Sequence, residues 1–333
     1  MKNILITDTH FGVKANSQVW LESQMRFFYE QFIPHLKKLK AAGEQFQIIH
    51  LGDVFDSRST LNVLVANKVY KLFKDLTEIC PVLIIAGNHD FYSPNSDEVN
   101  SIEVILRNLC GDNLFICDKL STGDKHCNMM LIPWYQWTYE GIKDAVDAAA
   151  QNGITHFFAH TDLEHIDPKI YSLLKGKTVY SGHIHIPSVM GDHKELITLG
   201  STFALNFADA NSERGYYILD GDKLTFFPNT KSIKFHRLYI NDRFSLEDYE
   251  LNGYPENDYF EFYVDKQKMA QDAIQDTLKA FQTTHRNSTI IIIDEEKSAQ
   301  KVSQNASKDM AEICKEMIPE YLQEKFSKVI DSL

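Results

Sequence analysis

Short apolar runs alternate with longer amphipathic stretches through the first two-thirds of the chain. Residues 3–7, 46–51, 82–86, 156–159 and 179–181 are rich in Ile, Leu, Val and Phe. They read as buried strands. Residues 18–42 and 61–79 carry the three-to-four spacing of amphipathic helices. This rhythm predicts an α/β layered fold in which helices cover a sheet. Runs at 196–199, 215–219 and 223–227 follow one another with short turns. A hairpin is expected there, turning at Gly221-Asp222 or at Asp220-Gly221. That part of the chain is therefore expected to form an antiparallel or mixed sheet.

The pattern changes over 228–233. Two strands (235–240 and 259–264), a helix (266–284) and a further strand (289–293) predict a small, separate β-α-β unit. From 298 onward the chain is polar and helical in pattern. There Met310, Ile313, Met317, Tyr321, Phe326 and Ile330 belong to an apolar stripe that Pro319 divides into two helices. Three regions result: 1–232, 233–297 and 298–333. No internal repeat or low-complexity tract is present.

Composition narrows the class. With 333 residues, 44% hydrophobic and 24% charged, the chain reads as a soluble globular protein that can bury a core without disulfides. Its five cysteines are odd in number and show no CxxC spacing, so they are expected to be reduced thiols in a cytosolic protein. The start, MKNILITDTH, lacks the apolar run of a signal peptide. Aliphatic runs such as 290–293 are too short to span a bilayer, so no membrane association is expected. A net charge of −12 argues against a surface that coats nucleic acid, because phosphate contacts need Lys and Arg. An enzyme that holds nucleic acid through metals and a partner remains open.

The chemistry sits where predicted strands end. Asp8-Thr9-His10, Gly52-Asp53-Val54-Phe55-Asp56, Gly87-Asn88-His89-Asp90, His160 and Gly182-His183-Ile184-His185 each follow such a run. In open α/β sheets that edge is where ligands bind. Taken singly, each motif has a plainer reading: a strand-end turn, an acidic cap, a core histidine or surface histidines. Their ordered co-occurrence points instead to a metal site. Carboxylate, imidazole and amide donors without thiolate suit Mn, Fe, Zn or Mg.

This ordered set, DTH, GDVFD, GNHD, a later His and GHIH, resembles the calcineurin-like metallophosphoesterases over about 1–229. The resemblance implies a β-sandwich flanked by helices and two divalent metal ions. It places Asp8, His10 and His185 on one metal and Asn88, His160 and His183 on the other. Asp53 would bridge them, and His89 would sit beside the substrate phosphate, outside the metal shell, as the catalytic residue that donates a proton to the leaving oxygen or stabilises the phosphorane-like charge. Asp56 and Asp90 either orient ligand histidines or cap turns. Protein phosphatases of this superfamily read GDxxDRG and GNHE, and this chain departs from both.

DTHFG, GDVFDSR, IPW at 132–134, GST at 200–202 and RGYYILD at 214–220 are similar to the SbcD-type DNA repair nucleases, notably the branch of phage recombination nuclease subunits. That resemblance implies a metallophosphoesterase nuclease domain (1–232), a small α+β capping domain (233–297) and a helical partner-binding tail (298–333). It further implies a phage-encoded, Mn-dependent exonuclease and endonuclease in DNA repair and recombination, with Mg, Fe or Zn as other metals. The expected partners are DNA, an SMC-like ATPase of the SbcC type and a second copy of the chain. The expected location is the cytoplasm, that of the host. Arg58, just after the metal motif, is the candidate substrate-phosphate contact. The competing readings are a phosphodiesterase or phosphatase acting on a small or protein substrate, and a non-catalytic scaffold on the same fold.

Overall fold

A computed structural model describes residues 1–93, 96–111, 113–121 and 129–293. The expected helical tail, 298–333, lies outside the described residues. The described residues fall into two compact units, Met1–Phe235 and a second that begins at His236.

Strands of the first unit begin with Lys2–Ile6 (β1), Phe46–His50 (β2), Val82–Ile85 (β3), Phe91–Ser93 (β4), Ser96–Asn100 (β5) and Leu114–Cys117 (β6). They continue with Met129–Ile132 (β7), His156–His160 (β8), Thr178–Gly182 (β9), Ser188–Met190 (β10), Leu196–Thr198 (β11), Gly215–Asp220 (β12) and Lys223–Pro228 (β13). One sheet has the order β13-β12-β1-β2-β3-β6 and the other β10-β11-β9-β8-β7. β1, β2, β3 and β6 run parallel, with β12 antiparallel to β1. β7, β8, β9 and β11 also run parallel, and β10 opposes β11. Parallel strands covered on both faces are apolar throughout, as in the fully buried Val-Leu-Ile-Ile of β3.

Strand alternation assigns each face its partner. Leu5, Ile49, Leu83 and Ile85 of one sheet meet Met129, Leu131, Phe158 and Tyr180 of the other. Their neighbours in sequence face outward: Met130, Ile132, Phe157 and Ala159 pack on Ile142, Ala145 and Ala149 of helix Tyr139–Asn152. Helix Val63–Thr77 buries Val65, Val69, Leu72, Phe73 and Leu76. Phe27, Phe32, Phe203 and Tyr216 form an edge-to-face aromatic cluster against β12. Each buried Phe is worth roughly 1.5–3 kcal/mol of transfer free energy. The result is a β-sandwich flanked by helices.

Local departures from expectation have local causes. The helix expected over 18–42 is Gln18–Phe27 and Ile33–Ala41, joined by a π-helical turn at Phe28–Phe32. Pro34 has no N–H to give the preceding turn, and a wider turn absorbs the missing bond. The helix expected over 61–79 starts at Val63, where the Asn62 side chain accepts the Leu64 N–H. The hairpin turns at Gly221-Asp222: Asp220 pairs with Lys223, and Gly221 has φ 60°.

The second unit holds a sheet of Phe235–Ile240 (β14, which starts on the last residue of the first unit), Tyr259–Asp265 (β15) and Ser288–Ile293 (β16), in that order. β15 and β16 are parallel, which requires a crossover connection. The expected single helix is broken into Lys266–Met269 and Asp272–Thr284 by extended backbone at Gln271. Leu238, Phe260, Phe262 and Val264 pack on Leu278 and Phe281. Among the described residues no helix is long and apolar enough to cross a membrane.

Candidate metal centre

The carboxyl ends of β1, β2, β3, β8 and β9 deliver Asp8 and His10, Asp53, Asn88 and His89, His160, and His183 and His185 to one place. Asp8 is fully buried, and Asp53 and His10 are 2% and 3% exposed. His10 Nε2 stands 3.2 Å from His185 Nε2 and 3.7 Å from Asp8 Oδ1, and His185 Nε2 is also 3.7 Å from Asp8 Oδ1. A second cluster surrounds Asn88 Oδ1, which is 2.9 Å from both His160 Nε2 and His183 Nδ1. Asp53 divides its carboxylate between them, with Oδ2 3.7 Å from His10 Nε2 and Oδ1 3.3 Å from His160 Nε2.

Left-handed backbone aims these donors inward. Asp8, His10, Asp53 and His183 have φ of 49°, 44°, 54° and 81°, a region that L-residues other than Asn and Asp seldom adopt. Gly52, at φ 97°, allows the turn before Asp53, and a Cβ there would lie 2.4 Å from His160 Nδ1. The turns are held by specific bonds. Asp90 Oδ2 accepts the N–H groups of Asp53 (2.8 Å) and Gly87 (2.9 Å), and Oδ1 accepts those of Val54 (3.0 Å) and Phe55 (3.3 Å). Asp90 therefore ties the loops after β2 and β3 together as a turn cap. Burial, then the charge of Asp53, push its carboxyl up to about 7 against the pull of those N–H groups. Asp56 Oδ1 faces His10 Nδ1 at 3.6 Å, and the Asp56 carbonyl accepts His89 Nδ1–H at 2.6 Å.

The electrostatics ask for positive charge. Burial works against ionising Asp8 and Asp53, yet the surrounding histidines hold both carboxyls below their usual range. Burial likewise opposes a proton on His160, but the Asp53 carboxylate outweighs it and lifts His160 to about 9. His10 is raised by Asp8 and Asp53 despite burial. Burial lowers His183 and His185. Among the described residues no Lys or Arg pairs with Asp8 or Asp53. Three groups, Asp8-His10-His185, His10-Asp53-His89 and Asp53-His160-His183, each bring ligand atoms within 4.8 Å of one another. Buried carboxylates without basic partners, converging with imidazole and amide donors, fit divalent cations.

All the candidate ligands are thus brought together, and His89 lies with them: its N–H donates to Asp53 Oδ1 at 2.8 Å, and its ring meets His10 edge-on at 4.9 Å. Arg58 is half-buried and makes no ion pair among the described residues. Of the aromatics that follow the motif strands, Phe11 and Phe91 are buried, and Tyr135 donates to the Ser93 carbonyl. Trp137 packs under the second sheet, whereas Tyr92 is 62% exposed.

Ligand spacing missed the bracing residues. Thr7 Oγ1 donates to Asp8 Oδ2 at 2.6 Å, the Thr7 N–H and carbonyl pair with Thr202 Oγ1, and the Ser201 N–H donates to the His185 carbonyl. The GST motif at 200–202 was the available signal, legible only as a family mark.

A sandwich whose parallel edges converge on a shared carboxylate and flanking histidines defines a binuclear metal-dependent phosphoesterase. The chain belongs to the calcineurin-like phosphoesterase family, whose profile matches residues 1–187, a family of hydrolases that bind two divalent metals. It is 26% identical over 242 residues to exonuclease subunit 1 of Enterobacteria phage T4, an alignment covering 69% of this chain and 68% of that protein.

Proposed function

We propose that the chain is a two-metal DNA nuclease, both exonuclease and endonuclease, acting with an SMC-like ATPase of the SbcC type in double-strand-break repair and recombination. The observation that carries this reading is the division of the Asp53 carboxylate between two histidine clusters. Similarity to a phage exonuclease subunit supports DNA as the substrate and the cytoplasm of an infected host as the location.

In this reading Asp8, His10 and His185 would hold one metal, Asn88, His160 and His183 would hold the other, and Asp53 would bridge. Mn2+ suits the mixed oxygen and nitrogen donors, with Mg2+, Fe2+ and Zn2+ as alternatives. When bound, two such cations supply Lewis acidity and make hydroxide available near neutral pH. The chain's own groups do the rest. Asp53 and Asp8 neutralise the cations, and the Asp90 clamp fixes Asp53 relative to Asn88. His89 gives Nδ1–H to the Asp56 carbonyl, which leaves Nε2 for the substrate side; as an imidazolium the ring passes its Nε2 proton to the leaving oxygen and becomes the neutral Nδ1–H tautomer. Arg58 contacts a flanking phosphate.

A homodimer is proposed from the similarity to SbcD-type nucleases; Val63 (84% exposed) on helix Val63–Thr77 and Val104 (70% exposed) on helix Ser101–Leu106 are apolar side chains that such a contact would cover. The tail beyond residue 298 supplies the ATPase contact. Deleting residues after Gln304 should abolish co-purification with the ATPase subunit and spare cleavage of short DNA.

The deciding experiment compares turnover of linear DNA, circular DNA and a generic aryl phosphodiester with Mn2+ or Mg2+. DNA cleavage well above the aryl diester rate is expected. Turnover of the small diester alone would refute the nuclease assignment.

A further inference from the structure

Metal-binding histidines are usually held by a hydrogen bond to the ring nitrogen that faces away from the metal. His160 follows this rule, with Nδ1 donating to the Leu51 carbonyl at 2.6 Å. His10 Nδ1 faces Asp56 Oδ1 at 3.6 Å, beyond hydrogen-bond distance. His183 likewise has no outer hydrogen bond to a described protein group, but it differs in what lies against its ring. Its Nδ1 points at Asn88 Oδ1, and its other nitrogen has no hydrogen bond among the described residues. Its main chain is engaged elsewhere: at φ 81° the His183 N–H donates to Asp8 Oδ2 and Oδ1 at 3.1 and 3.2 Å. The backbone therefore serves the Asp8 side of the centre while the ring must reach the Asn88 side.

What meets the His183 ring is Trp134. The two ring centroids are 4.7 Å apart at an interplanar angle of 44°, and the indole also meets His160 edge-on at 6.1 Å. Trp134 is itself anchored. It opens a short 3-10 turn after β7, and its N–H donates to the Ala86 carbonyl at 3.1 Å. Ala86 lies two residues before Asn88. The indole is thereby registered to the loop that carries the partner of His183.

We infer that Trp134 is a positioning residue: its indole, packed against the His183 imidazole, holds that ring with Nδ1 toward Asn88. The inference rests on the assignment of Asn88, His160 and His183 to one metal. Loss of outer partners of this kind typically weakens metal binding about 10–100-fold.

The test is Mn2+ binding to the metal-stripped full chain, followed by calorimetry and by quenching of tryptophan fluorescence, with circular dichroism as the fold control. The wild type should bind two Mn2+. Trp134→Leu, which keeps apolar bulk but loses the flat face, should lose affinity at one position about 10–100-fold. Trp134→Phe should recover most of it. Trp134→Phe should also remove most of the metal-dependent quenching, because Trp20 packs against Phe235 and Trp137 under the second sheet. Equal Mn2+ affinity in the wild type, Leu and Phe variants would overturn the inference. A wild type that binds fewer than two Mn2+ would instead overturn the metal assignment on which it rests.

Discussion

Asp53→Asn isolates the charge of the proposed bridge. Asn has nearly the same shape and tolerates the left-handed conformation that Asp53 adopts at φ 54°. The Asp90 bond to the residue 53 N–H involves only backbone on that side and survives. The magnitude follows from His160. Against the penalty of full burial, Asp53 at 3.3 Å is the main influence lifting that imidazole from 6.5 to about 9. Such a lift corresponds to about 3 kcal/mol. A divalent cation in contact with the same carboxylate loses at least as much, which is about a hundredfold in affinity at each position. Calorimetric Mn2+ titration, turnover at sub-saturating metal and circular dichroism should be measured on one preparation. A folded protein with both affinities reduced at least about a hundredfold, and turnover reduced further, is expected. Two Mn2+ bound with wild-type affinity and undiminished turnover would refute the bridge and the electrostatic reasoning behind it.

Other perturbations probe separate parts of the centre. His89→Gln should retain both metals and lose roughly 10²–10⁴-fold in turnover, as for a general acid; departure of a metal would show that His89 is a ligand. In metal-stripped protein, the raised His160 contributes stability that is fully present below about 6.5 and lost as pH rises through about 9. The melting temperature of the stripped protein should therefore fall by several degrees over that window, and a flat profile would contradict the His160–Asp53 coupling. Gly182→Ala would place a Cβ 2.1 Å from Thr7 Oγ1 and 2.8 Å from both Asp8 Oδ2 and the Leu51 carbonyl. Overpacking there should cost about 1–3 kcal/mol and weaken binding at the Asp8 metal; an unchanged melt and Mn2+ isotherm would show that the loop yields freely.

The strands that carry chemistry were legible because they are buried on both faces and read as continuous apolar runs ending in polar motifs. β6 and β7 escaped detection. Leu114–Cys117 and Met129–Ile132 are four residues each, as long as β3, but neither ends in a polar motif of the kind that marked β1, β2, β3, β8 and β9. Helix Tyr139–Asn152 buries only Ile142, Ala145 and Ala149, so its core stripe is largely alanine and carries little hydrophobic contrast. The residues that converge at the candidate metal centre were readable from residue type and order. Their braces were not, because Thr7, Ser201 and Thr202 act through hydroxyls and main-chain groups that any loop contains. Asp90 was visible as an acid beside His89, but its partners are N–H groups of residues 53–55 and 87. A backbone partner leaves no side-chain signature, so the choice between histidine-orienting and turn-capping roles required coordinates.

The same braces explain how the centre tolerates its own backbone. Four donors, Asp8, His10, Asp53 and His183, sit at positive φ, each costing on the order of 1–2 kcal/mol. A chain free to relax would turn those side chains away. It is not free, because each turn is bonded to another turn of the same centre. The Asp8 N–H donates to the Gly52 carbonyl, the His10 N–H to the Asp53 carbonyl, and the His183 N–H to the Asp8 carboxylate. Releasing any one donor leaves a buried acceptor unpaired on its neighbour, at about 1–3 kcal/mol each. The strain is therefore offset by mutual hydrogen bonding between the turns, which holds the carboxylates and imidazoles of the candidate centre facing one another.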